Sequence, residues 1–310
     1  MSSLRHSPIG DRLYQTLTTL CAISVLVLLL VLSARIFVAA SPALQAFGWR
    51  FLTGAQWDAV HGVFGVAPAV YGTVISSALA LALATPLALA VAIFSAEVAP
   101  AWLRSILEFA LDLLAAIPSV IYGLWGLFVL VPLLRDRVMP VLTETLGLAD
   151  TPLFAGPAYG PSMLAAALLL AIMILPYIAA VAREVLAAVP DAQREAALAL
   201  GATRWEMLRH AVLPYARSGL VGAVILGLGR AFGETMAVTM VIGNRHEMSA
   251  SLLAPGYTLA SLIANEFAEA SATLHHAALM AAGATLLLVT LLVNALARWL
   301  VWRVRRPGDA

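Results

Sequence analysis

Long apolar runs without a single charge constrain this chain more than any other feature. Residues 13–34, 62–96, 113–134 and 277–297 contain no ionisable carboxylate or cation, and a fifth run, 151–183, is charge-free until its closing Arg183. A sixth apolar stretch, 218–243, is interrupted by Arg230 and Glu234. A bilayer core is crossed by about 20 mostly apolar residues in a helix. In lipid, a backbone must satisfy its own hydrogen bonds, which leaves helices or closed barrels. Runs of this length and density predict an all-α membrane protein of six spans. The composition agrees, with 62% hydrophobic and only 11% charged residues in 310. Soluble domains carry about a quarter charged residues.

Two absences narrow the chemistry. All 18 basic residues are Arg, and there is no Lys. A Walker A loop needs a Lys on the nucleotide phosphates, and Schiff-base catalysis needs a Lys amine. The chain is therefore not itself a P-loop ATPase, and any ATP-driven work belongs to a partner. Cys21 is the single cysteine and excludes an internal disulfide. Its place in an apolar run suggests a buried, inert thiol. The net charge of +1 points to no nucleic-acid partner.

Arginine placement sets the expected orientation, because cytoplasmic flanks are enriched in positive charge. With the N-terminus inside, Arg5, Arg12, Arg104, Arg183, Arg194, Arg204, Arg209, Arg217, Arg298, Arg303, Arg305 and Arg306 are cytoplasmic. Arg50, Arg135, Arg137 and Arg245 are outside, a split of twelve to four. Arg35 lies near the outer end of span one. Residues 1–12 and 303–310 are then cytoplasmic tails, and 13–302 is the transmembrane domain. Val38-Ala39-Ala40 would suit a processing site, but the preceding apolar run of about 22 residues exceeds the 7–15 of a signal core. An uncleaved anchor is expected.

Other features have structural readings. Pro86, Pro118 and Pro176 fall inside apparent spans and predict kinks. Gly229 and Gly233 have the spacing of a close helix contact. Phe47, Trp49, Phe51, Trp57 and Phe64 lie between spans one and two, where aromatics suit the membrane interface. Contact of that segment with an extracytoplasmic partner is the alternative. Glu108 and Asp112 form an i, i+4 carboxylate pair, with Arg104 four residues before Glu108. They read as helix-end charges rather than catalysts. His275 and His276 are adjacent and point about 100° apart on a helix, which does not suit a metal.

The segment 184–214 is the most informative. Asp191 can cap a short helix containing Glu195, Ala196 and Ala197, all favourable near its start. Gly201 offers a turn. After the small Ala202, a second short helix follows from Thr203 to Arg209, and Leu213-Pro214 opens the next span. The result is a small helical hairpin just outside the membrane.

The order Glu195-Ala196-Ala197, three residues, Gly201, eleven residues, Leu213-Pro214 closely resembles the EAA loop of ABC importer permeases. That resemblance implies a loop docking into a cleft on an ATPase subunit, and a six-helix type I importer transmembrane domain. Ala211 stands where that pattern usually has a bulkier aliphatic residue. Two further segments, Leu113 to Gly126 and Gly227 to Val238, look like the permeases of phosphate importers. The Met236-Ala237-Val238 continuation is similar to PstC-type subunits. The resemblance implies inward transport of inorganic phosphate across a bacterial inner membrane. It further implies a homologous PstA-type permease, an ATPase dimer that holds the ATP, and an extracytoplasmic phosphate-binding protein. No cofactor or metal is expected in this chain, and no enzymatic activity of its own.

Within such a system, Arg230 and Glu234 are the expected substrate-pathway residues. At i and i+4 they share a helix face and can pair. An ionisable group inside a span usually faces the bundle interior or water. Arg230 would fork onto an oxyanion, and Glu234 would orient it and accept a hydrogen bond from protonated phosphate. A sulfate or molybdate importer fits the docking loop equally well. A stand-alone secondary transporter or channel fits less well, since the spans hold few groups for a coupling ion.

Overall fold

The structure is a computed structural model that describes residues 8–157 and 159–304, with side chains described for 10–157 and 159–299. The tails 1–7 and 305–310, including Arg5, Arg305 and Arg306, lie outside the described residues, as does the side chain of Arg303. Helices in chain order are α1 (Pro8–Phe47), α2 (Arg50–Thr53), α3 (Ala67–Ile93), α4 (Ala101–Ala116), α5 (Ser119–Trp125) and α6 (Val131–Leu133). Then come α7 (Met163–Ala187), α8 (Asp191–Ala199), α9 (Arg204–Met207), α10 (Leu213–Gly233), α11 (Met236–Ile242), α12 (Leu259–Glu266) and α13 (Thr273–Val304).

Among the described residues, six helical stretches are long and apolar enough to cross a membrane: Gly10–Phe47, Ala67–Val98, Ser119–Thr145, Met163–Ala187, Arg204–Gly233 and Thr273–Trp299. Spans three and five run beyond their apolar stretches because wide π-turns, Leu134–Val138 and Val141–Thr145 in one and Leu208–Val212 in the other, continue the helical backbone. Span three differs from the expected 113–134. Pro118 separates the amphipathic helix α4 from α5, because the residue before a proline is pushed out of helical conformation. Pro86 and Pro176 stay inside α3 and α7.

The core forms around α7, in which Ala165, Ala166, Leu169, Ile174, Ile178 and Ala179 are fully buried. Helix α3 meets it with Ala80, Ala84, Ala88 and Ala92, all buried in the same cluster. That four-residue spacing makes a smooth stripe over which helices approach closely. Helix α10 runs antiparallel along α7. A Cβ at Gly219 would stand 2.5 Å from Val185, and one at Gly227 would stand 2.5 Å from Ile178. The expected close pair, Gly229 and Gly233, makes no such contact within this chain. Neither has any atom within 4 Å of a built Cβ, so their side of α10 is open.

Helix α1 leans on α13 and buries Ala40 and Ala43 near its C-terminal end, but none of its most apolar window is buried. Cys21 is accordingly exposed on α1, not buried as expected, since no neighbouring helix covers that surface.

The aromatic segment after α1 also departs from expectation. Trp49 is 83% exposed, but Phe51 and Phe64 are fully buried, in a second cluster with Val66, Tyr257, Leu259 and Leu262. A two-stranded hairpin pairs Trp57 with Phe64 and Asp58 with Val63, and turns these rings into the protein. Burying two phenylalanines gains roughly 1.5–3 kcal/mol each, which favours a packed cap over a layer resting on headgroups.

Candidate functional site

The hairpin between spans four and five is built by local rules. Pro190, rather than Asp191, occupies the N-cap of α8, and Asp191 is the first helical residue. At the other end, Gly201 adopts φ +85°. Its N–H donates to the Leu198 carbonyl at 3.0 Å, and the Ala202 N–H donates to Ala197 at 3.2 Å. These two bonds around a left-handed residue make a Schellman C-cap, a position that favours glycine. Thr203 then caps α9. Its hydroxyl accepts from the Glu206 N–H at 3.3 Å, and the Glu206 carboxylate accepts from the Thr203 N–H at 2.8 Å. This reciprocal box fixes the second helix.

The hairpin presents Glu195, Ala196, Gly201 and Thr203 outward, while Ala197 and Ala202 are half-buried. Leu200 is 89% exposed and Trp205 63% exposed, and Leu198 is exposed too. Three large apolar side chains on one short connection form an uncovered patch of the kind that marks an interaction surface.

Two ion pairs tie this end together, and both were invisible in the local sequence. Arg194 Nη2 donates to Glu97 Oε1 at 2.8 Å and Nε donates to Glu97 Oε2 at 3.3 Å. Arg194 also donates to the carbonyls of Leu186 and Val189 and to Asp191. The Glu97 hydrogen bond pushes the Arg194 pKa up, so the guanidinium stays charged. Arg183 Nη1 lies 3.1 Å from Glu108 Oε1. Arg183 thus replaces Arg104 as the partner expected for Glu108. Arg104 folds back to donate to the Ala96 carbonyl at 3.1 Å, ending the turn between span two and α4.

Arg230 and Glu234 are brought together, but not on one continuous helix. Helix α10 ends at Gly233, and Glu234 is extended at ψ 124°. The helix breaks there because glycine is a poor helix former and the Glu234 carboxylate caps the next helix. Its Oε1 accepts from the Ala237 N–H of α11 at 3.3 Å. Arg230 Nη2 stands 3.8 Å from Glu234 Oε2, too far for a hydrogen bond. The side chains are 36% and 5% exposed, respectively. The Arg230 guanidinium lies over the Tyr177 ring, 5.1 Å from its centroid, and its Nε is buried without a hydrogen-bond partner. Tyr177, on α7, was not singled out in the sequence; no short-range pattern connects it to Arg230. The site thus offers a stacked, underused cation beside a buried carboxylate, with free space at the neighbouring Gly229 and Gly233 of α10.

At the opposite end of the bundle, His246 bonds through Nε2 to the Gly65 carbonyl at 2.8 Å and sits beside Trp57 and Tyr257. Burial pushes its pKa down. His275 stacks on Phe64 and lies 3.4 Å from Glu266, while His276 packs edge-on against Phe267. The two adjacent histidines serve different contacts.

Residues 84–306 match a family described as the binding-protein-dependent transport system inner membrane component. Across its length the chain is similar to phosphate transport system permease proteins PstC. That of Mesorhizobium japonicum is 45% identical over 307 residues, covering 98% of this chain and 93% of that protein. That of Xylella fastidiosa is 44% identical, covering 96% and 92%. A probable phosphate transport system permease protein PstC of Methanocaldococcus jannaschii is 39% identical, covering 89% of each.

Proposed function

The chain belongs to the family of binding-protein-dependent transport system inner membrane components, and on that footing we propose that it is the membrane-spanning permease subunit of an ATP-driven importer of inorganic phosphate. Near full-length similarity to several phosphate permeases supports the substrate. The observation that carries the reading at the site is Arg230, whose Nε has no partner and whose carboxylate neighbour stands off at 3.8 Å. A guanidinium inside a span costs a few kcal/mol or more to place there. One left short of partners is poised to take an oxyanion in a bidentate grip. Glu234 accepts from a protonated phosphate oxygen, a donor that sulfate lacks at neutral pH. Tyr177 holds the fork in place from below.

Both termini are cytoplasmic, as the twelve-to-four distribution of Arg suggests, and the protein is a multi-pass component of the bacterial inner membrane. The α8–α9 hairpin, with Glu195, Ala196, Ala197, Gly201, Ala202 and Thr203, docks in a cleft of an ATPase subunit. Its exposed Leu198, Leu200 and Trp205 support that role. ATP is bound and hydrolysed there; this chain holds no cofactor and no catalytic residue. The open side of α10 is completed by a second, homologous permease, and an extracytoplasmic phosphate-binding protein delivers the ion.

Uptake by proteoliposomes containing both permeases and the ATPase, supplied with the binding protein and energised by ATP, tests the proposal. Labelled phosphate should accumulate, and excess sulfate or molybdate should not compete. Competition by either ion would move the assignment to another oxyanion importer.

A further inference from the structure

We propose that Arg194 is a positioning residue for coupling: through Glu97 it locks the docking helix α8 to the end of span two, so that the two move as one body. The proposal rests on the docking role assigned above to the α8–α9 hairpin. Glu97 lies in the π-turn Phe94–Val98 that closes span two. A wide turn shifts side chains out of helical register, and here the Glu97 side chain is only 9% exposed. Arg194, on the middle of α8, is 18% exposed and meets it with two nitrogens. Its remaining donors reach the Leu186 and Val189 carbonyls, which end span four, and Asp191 at the start of α8. One side chain therefore joins span two, 97 positions away, to the exit of span four and the docking helix that follows it.

The rest of α8 could not supply this connection. Glu195, Ala196, Leu198 and Ala199 are exposed, and the helix contributes no fully buried side chain to the core. A helix so lightly packed would otherwise swivel about its ends. The bidentate, partly buried pair is directional where apolar contact is not. A push on the hairpin is thus delivered to span two through Arg194, and span two packs along α7 beside α10, which carries Arg230.

The test uses the complete transporter in proteoliposomes, reading ATP hydrolysis and phosphate uptake on the same sample. In Arg194→Gln and in Glu97→Gln, the subunits should co-purify and hydrolysis should stay within about twofold of wild type. Phosphate moved per ATP should fall at least about tenfold. The double variant should be no worse than either single one, because both remove the same link. Arg194→Lys keeps the charge without the fork and should recover part of the loss. A purely structural role would lower hydrolysis, uptake and assembly together and leave their ratio unchanged, and that result overturns the proposal, as does an unchanged ratio with full activity. A cross-link from Leu200→Cys to the ATPase, made in an otherwise native transporter, separates the underlying reading. Its absence in an active complex refutes docking itself, whereas its persistence in Arg194→Gln together with the lost ratio identifies the strut.

Discussion

Arg230 faces Glu234 across a break in span five: the last turn of α10 holds the cation, and the carboxylate caps α11 beyond it. The 3.8 Å between Nη2 and Oε2 is beyond hydrogen-bond distance. A gap keeps both groups available to a third. Arg230→Gln should therefore abolish phosphate uptake while the subunit still inserts and assembles. A charge-assisted hydrogen bond contributes about 1.5–3 kcal/mol, so each lost contact lowers transport roughly ten- to hundredfold.

Glu234→Gln is a subtler change. The amide oxygen can still accept from the Ala237 N–H, so the cap and the break survive while the charge is lost. Uptake should fall, by less than in Arg230→Gln. Glu234→Ala removes the cap as well and should weaken assembly too. Uptake measured beside complex recovery separates the two effects. Loss of transport only where assembly fails would make the pair structural.

Spans were legible in the sequence because a charge-free run of twenty residues is a local property that lipid enforces wherever it occurs. The hairpin was legible for the same reason: Gly201 ends one short helix and the next begins at Thr203, both within a few residues. Arg194 and Glu97 were not, since 97 positions separate them and nothing in either neighbourhood names the other. The break at Glu234 was missed because apolar residues continue on both sides of it, and a capping carboxylate looks the same in a string as one on a continuous helix. Phe51 and Phe64 were placed at the headgroups because interface aromatics and buried ones have the same composition. Only the hairpin pairing Trp57 with Phe64 tells them apart.

Topology is open to direct labelling. In a Cys21→Ser background, needed because Cys21 is exposed, a cysteine at Leu200 should react with a membrane-impermeant thiol reagent only from the cytoplasm. A cysteine at Leu146 or Met248, both exposed, should react only from outside. Labelling of position 200 from the outer side would reverse the orientation and remove the docking argument with it.

His246 predicts a pH response at the outer cap. Burial lowers its pKa from the ordinary 6.5, with the Gly65 carbonyl and the Glu266 charge opposing the shift. The flanking Arg245 and Glu247 pair with each other at 2.9 Å. A histidine with a depressed pKa is neutral in the folded contact. Above pH 6.5 it is neutral in the open state too, and the contact keeps its full stability. As pH falls below 6.5 the open state takes up a proton first, so the contact weakens progressively. Hydrogen exchange in 63–66 and 244–248, corrected for its intrinsic pH dependence, should accelerate on acidification to pH 5. His246→Gln should flatten that response, and an unchanged profile in the variant would assign it to another group.

Gly201 separates two demands that the hairpin makes of one residue. The Schellman cap needs a left-handed backbone at φ +85°, which costs an ordinary L-residue about 1–2 kcal/mol. The ATPase cleft, in the proposed complex, needs small volume. Within this chain a Cβ at Gly201 would meet nothing within 4 Å, so any steric penalty must come from the partner. Asn tolerates the left-handed region better than most residues, whereas Val is both strained and bulky. Gly201→Asn should keep the turn, insertion and subunit abundance, yet lower uptake about tenfold because the cleft has no spare room. Gly201→Val should lose more than that, since the α8–α9 turn is strained as well. Uptake and ATP hydrolysis measured on both variants decide the matter. Wild-type transport by Gly201→Asn would leave only the backbone requirement, and wild-type transport by Gly201→Val with the ATPase bound and active would end the docking assignment for this glycine.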